Sequence, residues 1–530
     1  MLNEQRLNLQ WFGAIPFLVA LLTRVAVIGQ APHADEGHYA AASYFQFLGY
    51  TKGLFAQTMV IPQYGGLELN SLLFSWLYFL PGEPLILFRV VDSVWASLAG
   101  LAMFMFLAQL TRNRTAACIA TVIVILAMNH PAVIEAGARN SIPAAMACFF
   151  AAAYLLEREH GQSVVLPGLL LGFAVLVREP FFPFVGVLLL YSWQQYGLGR
   201  AFRLATVCAG LATIVFLAIA VLKGGVSGAE AIVDAYRSFP YSNQHFNSFA
   251  EKLLRVRSQG VAAMQDLIYC LPILSFGIIA VVFPSVRRAP AFIRGYWLGI
   301  ALMCATLVEV FIKTPYGYHF AQILIGGSIV MALGLQVLIH WSVTLWQVYS
   351  TRMLTLSIVL LLGQLALMAD LANTLRYAVG WSLHFSPVTI QGDWSSAVVN
   401  ESYYLKIAAL VRQNTKPGDV ILSTVPNIYP LTSTIPVTRE TASLSMYRLA
   451  HGTDELDPST ASLIRDTKPR IFVQEHPTVS RSNEQVYVPI PAQYQDLYGQ
   501  SVQVGPGLSP YRAKVALVHF SEPNPSAQVP

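Results

Sequence analysis

The chain has 530 residues, of which 55% are hydrophobic and only 12% charged, and its mean hydropathy is +0.53. Soluble domains carry about 25% charged residues, so this composition excludes an ordinary soluble protein and describes a membrane one. The net charge of +5 is small for the length and contains no basic run, which excludes a nucleic-acid partner.

The first apolar run, Trp11–Ile28, is long enough to cross a bilayer as a helix, since that takes ~20 residues. It also exceeds the ~7–15 residues of a signal-peptide core, so it reads as a retained span. Directly after it comes Ala31–Tyr44, APHADEGHYAAASY, in which Asp35 and Glu36 are flanked by His33 and His38. This reads as a loop at the membrane surface. Further apolar runs follow at Leu85–Leu110, Ala116–Asn129, Ile142–Leu156, Val164–Val177, Phe181–Tyr191, Leu204–Leu222, Leu267–Phe283, Tyr296–Ile312, Phe320–Ile339 and Met353–Leu371. Together they predict a polytopic α-helical membrane protein with about eleven transmembrane helices. Leu67–Leu80 is short and flanked by Gly and Pro, so it reads as an interfacial helix. The five cysteines, Cys118, Cys148, Cys208, Cys270 and Cys304, all fall inside apolar runs and form no CxxC pair, so they read as small core residues.

Lys and Arg in the short connections set the orientation. With the N-terminus inside, the inner loops hold Arg6, Arg112, Arg114, Arg158, Arg200, Arg203, Arg287, Arg288, Arg294 and Arg352, whereas the outer loops hold single cations at Arg139, Arg178 and Lys313. The Asp35–Glu36 loop, the long polar loop Lys223–Gln265 and the C-terminal tail then lie outside, as expected of a multi-pass protein of the cytoplasmic (inner) membrane. Residues 1–371 form the transmembrane part and 372–530 a small extracytoplasmic α/β domain. In the latter, Tyr403–Asn414 reads as a helix turned by Lys416-Pro417-Gly418-Asp419 into the strand Val420–Val425, and Ala461–Thr467 as a helix turned by Lys468-Pro469-Arg470 into Ile471–Val473. No glycine-rich phosphate motif follows either strand, which argues against a nucleotide site.

Three groups of residues have the chemistry for catalysis. Asp35 and Glu36 can take a proton from an incoming nucleophile, or they can simply begin a helix; with His33 and His38 they also offer ligands to a divalent cation. Glu135 and Arg139, in NHPAVIEAGARNSIP, either pair on one helical face or point at the first loop. Arg178 in L-V-R-E-P and Lys313 with Tyr316, Tyr318 and His319 are cations near membrane depth, which either snorkel to headgroups or bind phosphate. Lys52 and Arg24 are weaker candidates for phosphate. A lipid-linked phosphate donor fits this layout, its polyprenyl tail among the helices and its sugar facing Asp35.

The DEGHY loop after the first span, GARNSIP, L-V-R-E-P and K-T-P-Y-G-Y-H-F resemble the GT-C membrane glycosyltransferases, in the protein O-mannosyltransferase and aminoarabinose-transferase-like (family 39-like) branch. The resemblance covers most of Trp11–Leu371. It implies a GT-C fold, a polyprenyl-phosphate sugar donor, inversion at the sugar, and Asp35 as catalytic base with Glu36 as its partner. It also implies donor contacts by position at Arg139, Arg178, Lys313, Tyr316 and His319. In members that use a divalent metal, acidic residues of the first two outer loops hold it; here these would be Asp35 and Glu135, with His38. The acceptor implied is a lipid, a glycan or a protein. Two other readings stay open: a transporter or flippase of lipid-linked sugars, and a surface-polysaccharide polymerase or ligase. A transporter should place its charges near the midplane, whereas those here cluster at one face.

Overall fold

The structure is a computed structural model, and it describes residues 2–25, 34–52, 69–81, 84–128, 141–160, 162–222, 224–230, 233, 249–266, 270–280, 290–312, 320–348, 406–424, 428–437, 458–477, 497–498, 500–508 and 513–521. In chain order the helices of the first two thirds are α1 (Leu2–Val25), α2 (Ala34–Lys52), α3 (Leu69–Ser75), α4 (Pro84–Thr111), α5 (Arg114–Met128), α6 (Ile142–Arg158), α7 (Val165–Val177), α8 (Phe182–Tyr196), α9 (Leu198–Leu222), α10 (Phe249–Asp266), α11 (Leu271–Ala280), α12 (Pro290–Ile312) and α13 (Ile323–Val348). Short 3₁₀ turns follow α3 at Trp76–Phe79 and precede α8 at Glu179–Phe181.

Most apolar runs fold as helices close to where the sequence places them. Three are long and apolar enough to cross a membrane: Leu87–Thr111, Leu198–Leu222 and Ile323–Trp341. Others are shorter. The 13 residues of α7 rise only about 20 Å at ~1.5 Å per residue, against about 30 Å of hydrocarbon. Length and composition therefore mark three candidate crossings among the described residues, short of the eleven expected. The last expected span, Met353–Leu371, lies outside the described residues.

The polar stretch Lys223–Gln265 is not all loop: its second half is the 18-residue helix α10. The bundle core is centred on α4 and α6 and is rich in aromatic edges, with Phe149, Phe181 and Phe184 fully buried and in mutual ring contact. α12 and α13 approach closely enough that a Cβ on Gly326 would collide with the Gly299 carbonyl oxygen, the close backbone contact that small residues permit between membrane helices. All five cysteines are free thiols, and Cys118, Cys148 and Cys270 are buried as expected.

One end of the bundle gathers cations expected in the inner loops. Arg200 Nη1 donates to the His160 carbonyl at 2.9 Å and Arg294 Nη1 to Gln195 Oε1 at 2.5 Å. Beside them, Glu157 accepts from the Tyr191 hydroxyl at 2.6 Å and the Tyr196 hydroxyl at 3.0 Å. These bonds tie together the ends of α6, α8, α9 and α12.

After the bundle come a helix at residues 406–414 (α14), β1 (Val420–Ser423), α15 (Ile428–Thr432), β2 (Ile435–Pro436), α16 (Pro458–Thr467), β3 (Ile471–Pro477), β4 (Gln500–Leu508) and β5 (Ala513–Phe520). The sheet order is β2-β1-β3-β5-β4; β1 pairs parallel with β2 and β3, and β5 pairs antiparallel with β3 and β4. Both helix–turn–strand units expected from the Lys-Pro turns are present. In the first, the Lys416 N–H donates to the Asp419 carboxylate at 2.8 Å, and Gly418 has φ +90°, a conformation glycine adopts without a Cβ penalty. β4 and β5 are additions to the sequence reading. Their register shifts between Val504 and Gly507, a bulge around Pro506, which has no N–H to give to the ladder.

The bundle and the sheet meet through α2. Its Ala41, Tyr44, Phe45 and Leu48 share one core with Ile407, Val411, Ile421, Tyr429 and Val518. Phe45 and Tyr429 contact ring to ring at 5.7 Å between centroids, and burying a side chain of that size contributes about 1.5–3 kcal/mol. The Tyr78 hydroxyl adds a bond to the Ala40 carbonyl at 2.7 Å. Burial pushes the Tyr429 hydroxyl well above the usual tyrosine range, so it stays a neutral anchor at any physiological pH. The helix that begins with Asp35 and Glu36 is thus packed against the C-terminal sheet along its later turns.

Candidate active site at one end of the bundle

The end of the bundle opposite the Arg200–Arg294 cluster buries three arginines. Arg178 shows how the sequence builds it. Pro180 has no N–H and its ring cannot follow the preceding helical turn, so α7 stops at Val177; Arg178 takes an extended backbone, φ −151° and ψ 102°, and caps the 3₁₀ turn Glu179–Phe181. Its guanidinium Nη1 donates to the Ser141 hydroxyl at 3.2 Å, just ahead of α6. L-V-R-E-P is thereby joined to the end of GARNSIP, two of the segments that carry the family resemblance. Arg178 is 5% exposed, so it is turned into the protein and does not snorkel to headgroups.

Arg24 and Asp92 form a second feature of this end. Arg24 Nη1 lies 3.1 Å from Asp92 Oδ2, and the two side chains are 5% and 2% exposed. This corrects the expectation that Arg24 serves a phosphate: its charge is met by a carboxylate of α4. Arg89, one turn away on α4, is also buried. Asp92 is eight residues into a 28-residue helix, about 12 Å from its start, and so lies nearer that end of α4 than the other. Sequence reasoning missed Arg89 and Asp92, although ionisable residues inside an apolar span are the general signal for a functional or paired site.

The acidic pair is placed differently from expectation. The backbone is helical from Ala34, so Asp35 and Glu36 occupy the first turn of α2 rather than a loop. Acidic residues there favour the positive end of the helix dipole, which is compatible with catalysis at the same position. The side chains of Asp35, Glu36 and His38 lie outside the described residues, as do His33, Glu135, Arg139, Lys313, Tyr316, Tyr318 and His319 entirely. Among the described residues no group of three or more His, Cys, Asp or Glu is arranged to hold a metal ion.

α2 packs on α3, and α3 in turn touches α7. Ser43, Gln46, Asn70, Ser71 and Ser75 are buried polar residues of this layer. The end of the bundle therefore combines buried guanidiniums, a helix whose first turn carries two acidic residues, and buried uncharged hydrogen-bonding groups.

No family model matches the sequence, and no curated protein does. A crystal structure of ArnT from Cupriavidus metallidurans bound to undecaprenyl phosphate aligns with 96% of this chain and 97% of its own, at 15% identity and a TM-score of 0.47.

Proposed function

We propose that the protein is an inverting glycosyltransferase of the cytoplasmic membrane, moving a sugar from a polyprenyl-phosphate donor to an acceptor on the outer face. The observation that carries the reading is the buried Arg178 guanidinium at the end of the bundle remote from the basic cluster. A guanidinium presents a planar fork of N–H donors that matches phosphate, and a lipid-exposed or purely solvated arginine would not be buried in protein. The place of Arg89 and Asp92 in the first turns of α4, away from the middle of that helix, favours surface chemistry over a transporter's midplane site.

In this reading the donor's phosphate lies against Arg178 and Lys313, with Arg139, Tyr316 and His319 around the phosphate and sugar. The acceptor hydroxyl loses its proton to the Asp35 carboxylate as its oxygen bonds to the anomeric carbon. The bond from that carbon to the phosphate oxygen breaks on the opposite side, which inverts the centre and releases polyprenyl phosphate. Cations fixed at the departing phosphate stabilise the charge that develops there. Glu36 supports Asp35. Asp35, Glu135 and His38 are the residues that would hold a divalent cation, whose contribution would be to neutralise phosphate charge. The acceptor is a lipid, glycan or protein, and the C-terminal sheet lies on the acceptor's side of the membrane.

Arg178→Ala is expected to weaken undecaprenyl phosphate binding by about tenfold or more, a lost charged hydrogen bond being worth about 1.5–3 kcal/mol, while Arg178→Lys recovers part of the loss. Titration of the purified protein with the lipid measures both. Unchanged affinity in Arg178→Ala would remove the phosphate site from this end of the bundle.

A further inference from the structure

Asn70 is buried to 1% exposure on α3, and neither its Nδ2 nor its Oδ1 has a hydrogen-bond partner among the described residues. More than nine in ten buried polar groups are paired, and a buried group left unmade costs about 1–3 kcal/mol. The position of Asn70 supplies a reason for it. α3 contacts both α2, whose first turn carries Asp35 and Glu36, and α7, the helix that runs into Arg178. Four residues on, Phe74 meets Phe88 at 4.4 Å between ring centroids, next to Arg89. Trp95 and Phe173 continue that contact from α4 to α7 at 6.3 Å. Ser75, a polar neighbour on the same helix, is satisfied internally by the Leu72 carbonyl at 2.7 Å.

We propose that Asn70 reads the sugar of the donor, its amide giving an N–H to one hydroxyl and accepting a hydrogen bond from another. The inference rests on the function proposed above and deepens it by naming the substrate feature recognised. Charged groups at this end suit the phosphate and the acceptor's proton. A neutral amide that both donates and accepts suits hydroxyls, which do the same. Neighbouring hydroxyls on one ring present that pattern at the right spacing. The two polar atoms left unmade without ligand are then satisfied when the sugar is bound.

The test compares wild-type protein with Asn70→Leu and Asn70→Asp for binding of undecaprenyl phosphate and of undecaprenyl-phosphate mannose and glucose, together with thermal unfolding without ligand. Asn70→Leu is expected to bind bare undecaprenyl phosphate as wild type does and to lose about tenfold in affinity for the better of the two sugar forms. Its unfolding temperature without ligand should be no lower than wild type, because two unsatisfied atoms have been removed. Asn70→Asp keeps an acceptor and loses the donor, so it should retain part of the sugar affinity. Unchanged affinity for both sugar forms in Asn70→Leu overturns the inference. So does a lowered unfolding temperature with equal losses for bare and sugar-bearing lipid, since Asn70 would then be structural. Failure of wild-type protein to bind bare undecaprenyl phosphate instead overturns the function on which the inference rests.

Discussion

Asp35→Asn is expected to lower sugar transfer by about a hundred- to ten-thousand-fold, the range supplied by a positioned general base, while the protein stays folded and inserted. Asparagine keeps the size of the side chain and gives up only the carboxylate's attraction to the helix dipole, about 0.3–1 kcal/mol, so α2 should begin where it does now. What it cannot do is take a proton. Binding of undecaprenyl phosphate should be unaffected, because the lipid's phosphate is assigned to the cations. Transfer from a radiolabelled lipid-phosphate sugar in proteoliposomes measures the effect, and near-normal transfer by the variant would reject Asp35 as the base. Glu36→Gln should have the smaller effect of a supporting residue.

The second large effect concerns stability. Arg24 and Asp92 are both nearly inaccessible and lie 3.1 Å apart. Removing one member of such a pair leaves an uncompensated buried charge and costs about 3–5 kcal/mol, whereas replacing both with apolar residues is often neutral or better. Asp92→Leu and Arg24→Met are each expected to lower the unfolding temperature strongly, and the double substitution Arg24→Met with Asp92→Leu to restore most of the loss. Additive losses in the double variant would show that the two side chains do not act as a pair. The pair fastens the last turn of α1 to α4, and α1 leads into the segment before α2. A loosened α1 is therefore also expected to lower transfer without changing the identity of the donor.

Those two predictions rest on features that were unequally legible in the sequence. The long apolar segments were readable because hydrophobicity over about 20 residues is a strong signal: Leu85–Leu110 is realised as Pro84–Thr111 and Val164–Val177 as Val165–Val177. The break at L-V-R-E-P was readable for an equally local reason, the missing N–H of Pro180. The Arg24–Asp92 pair was not. Its partners are 68 residues apart, and two charges within a 28-residue apolar helix barely alter its average character. β4 was hidden because V-Q-V-G-P-G reads as loop, and only pairing with β5 on both sides of the bulge makes it a strand. Helix α2 was obscured by DEGHYAAASY, where polar and small residues suggest a loop until Tyr44, Phe45 and Leu48 find the C-terminal sheet to pack against. Arg178 was recognised as a cation near the membrane surface, but whether it faced lipid, water or protein depended on Ser141, which only the fold brings within reach.

The most direct measurement is turnover of the donor itself. Wild-type protein in proteoliposomes, given undecaprenyl-phosphate mannose or glucose labelled in the sugar and membranes as a source of acceptor, is expected to release free undecaprenyl phosphate as label passes to the acceptor fraction, and Asp35→Asn to release none above background. Label that crosses the bilayer still attached to its lipid, with no undecaprenyl phosphate released, would contradict a transferase and identify a carrier of lipid-linked sugar instead.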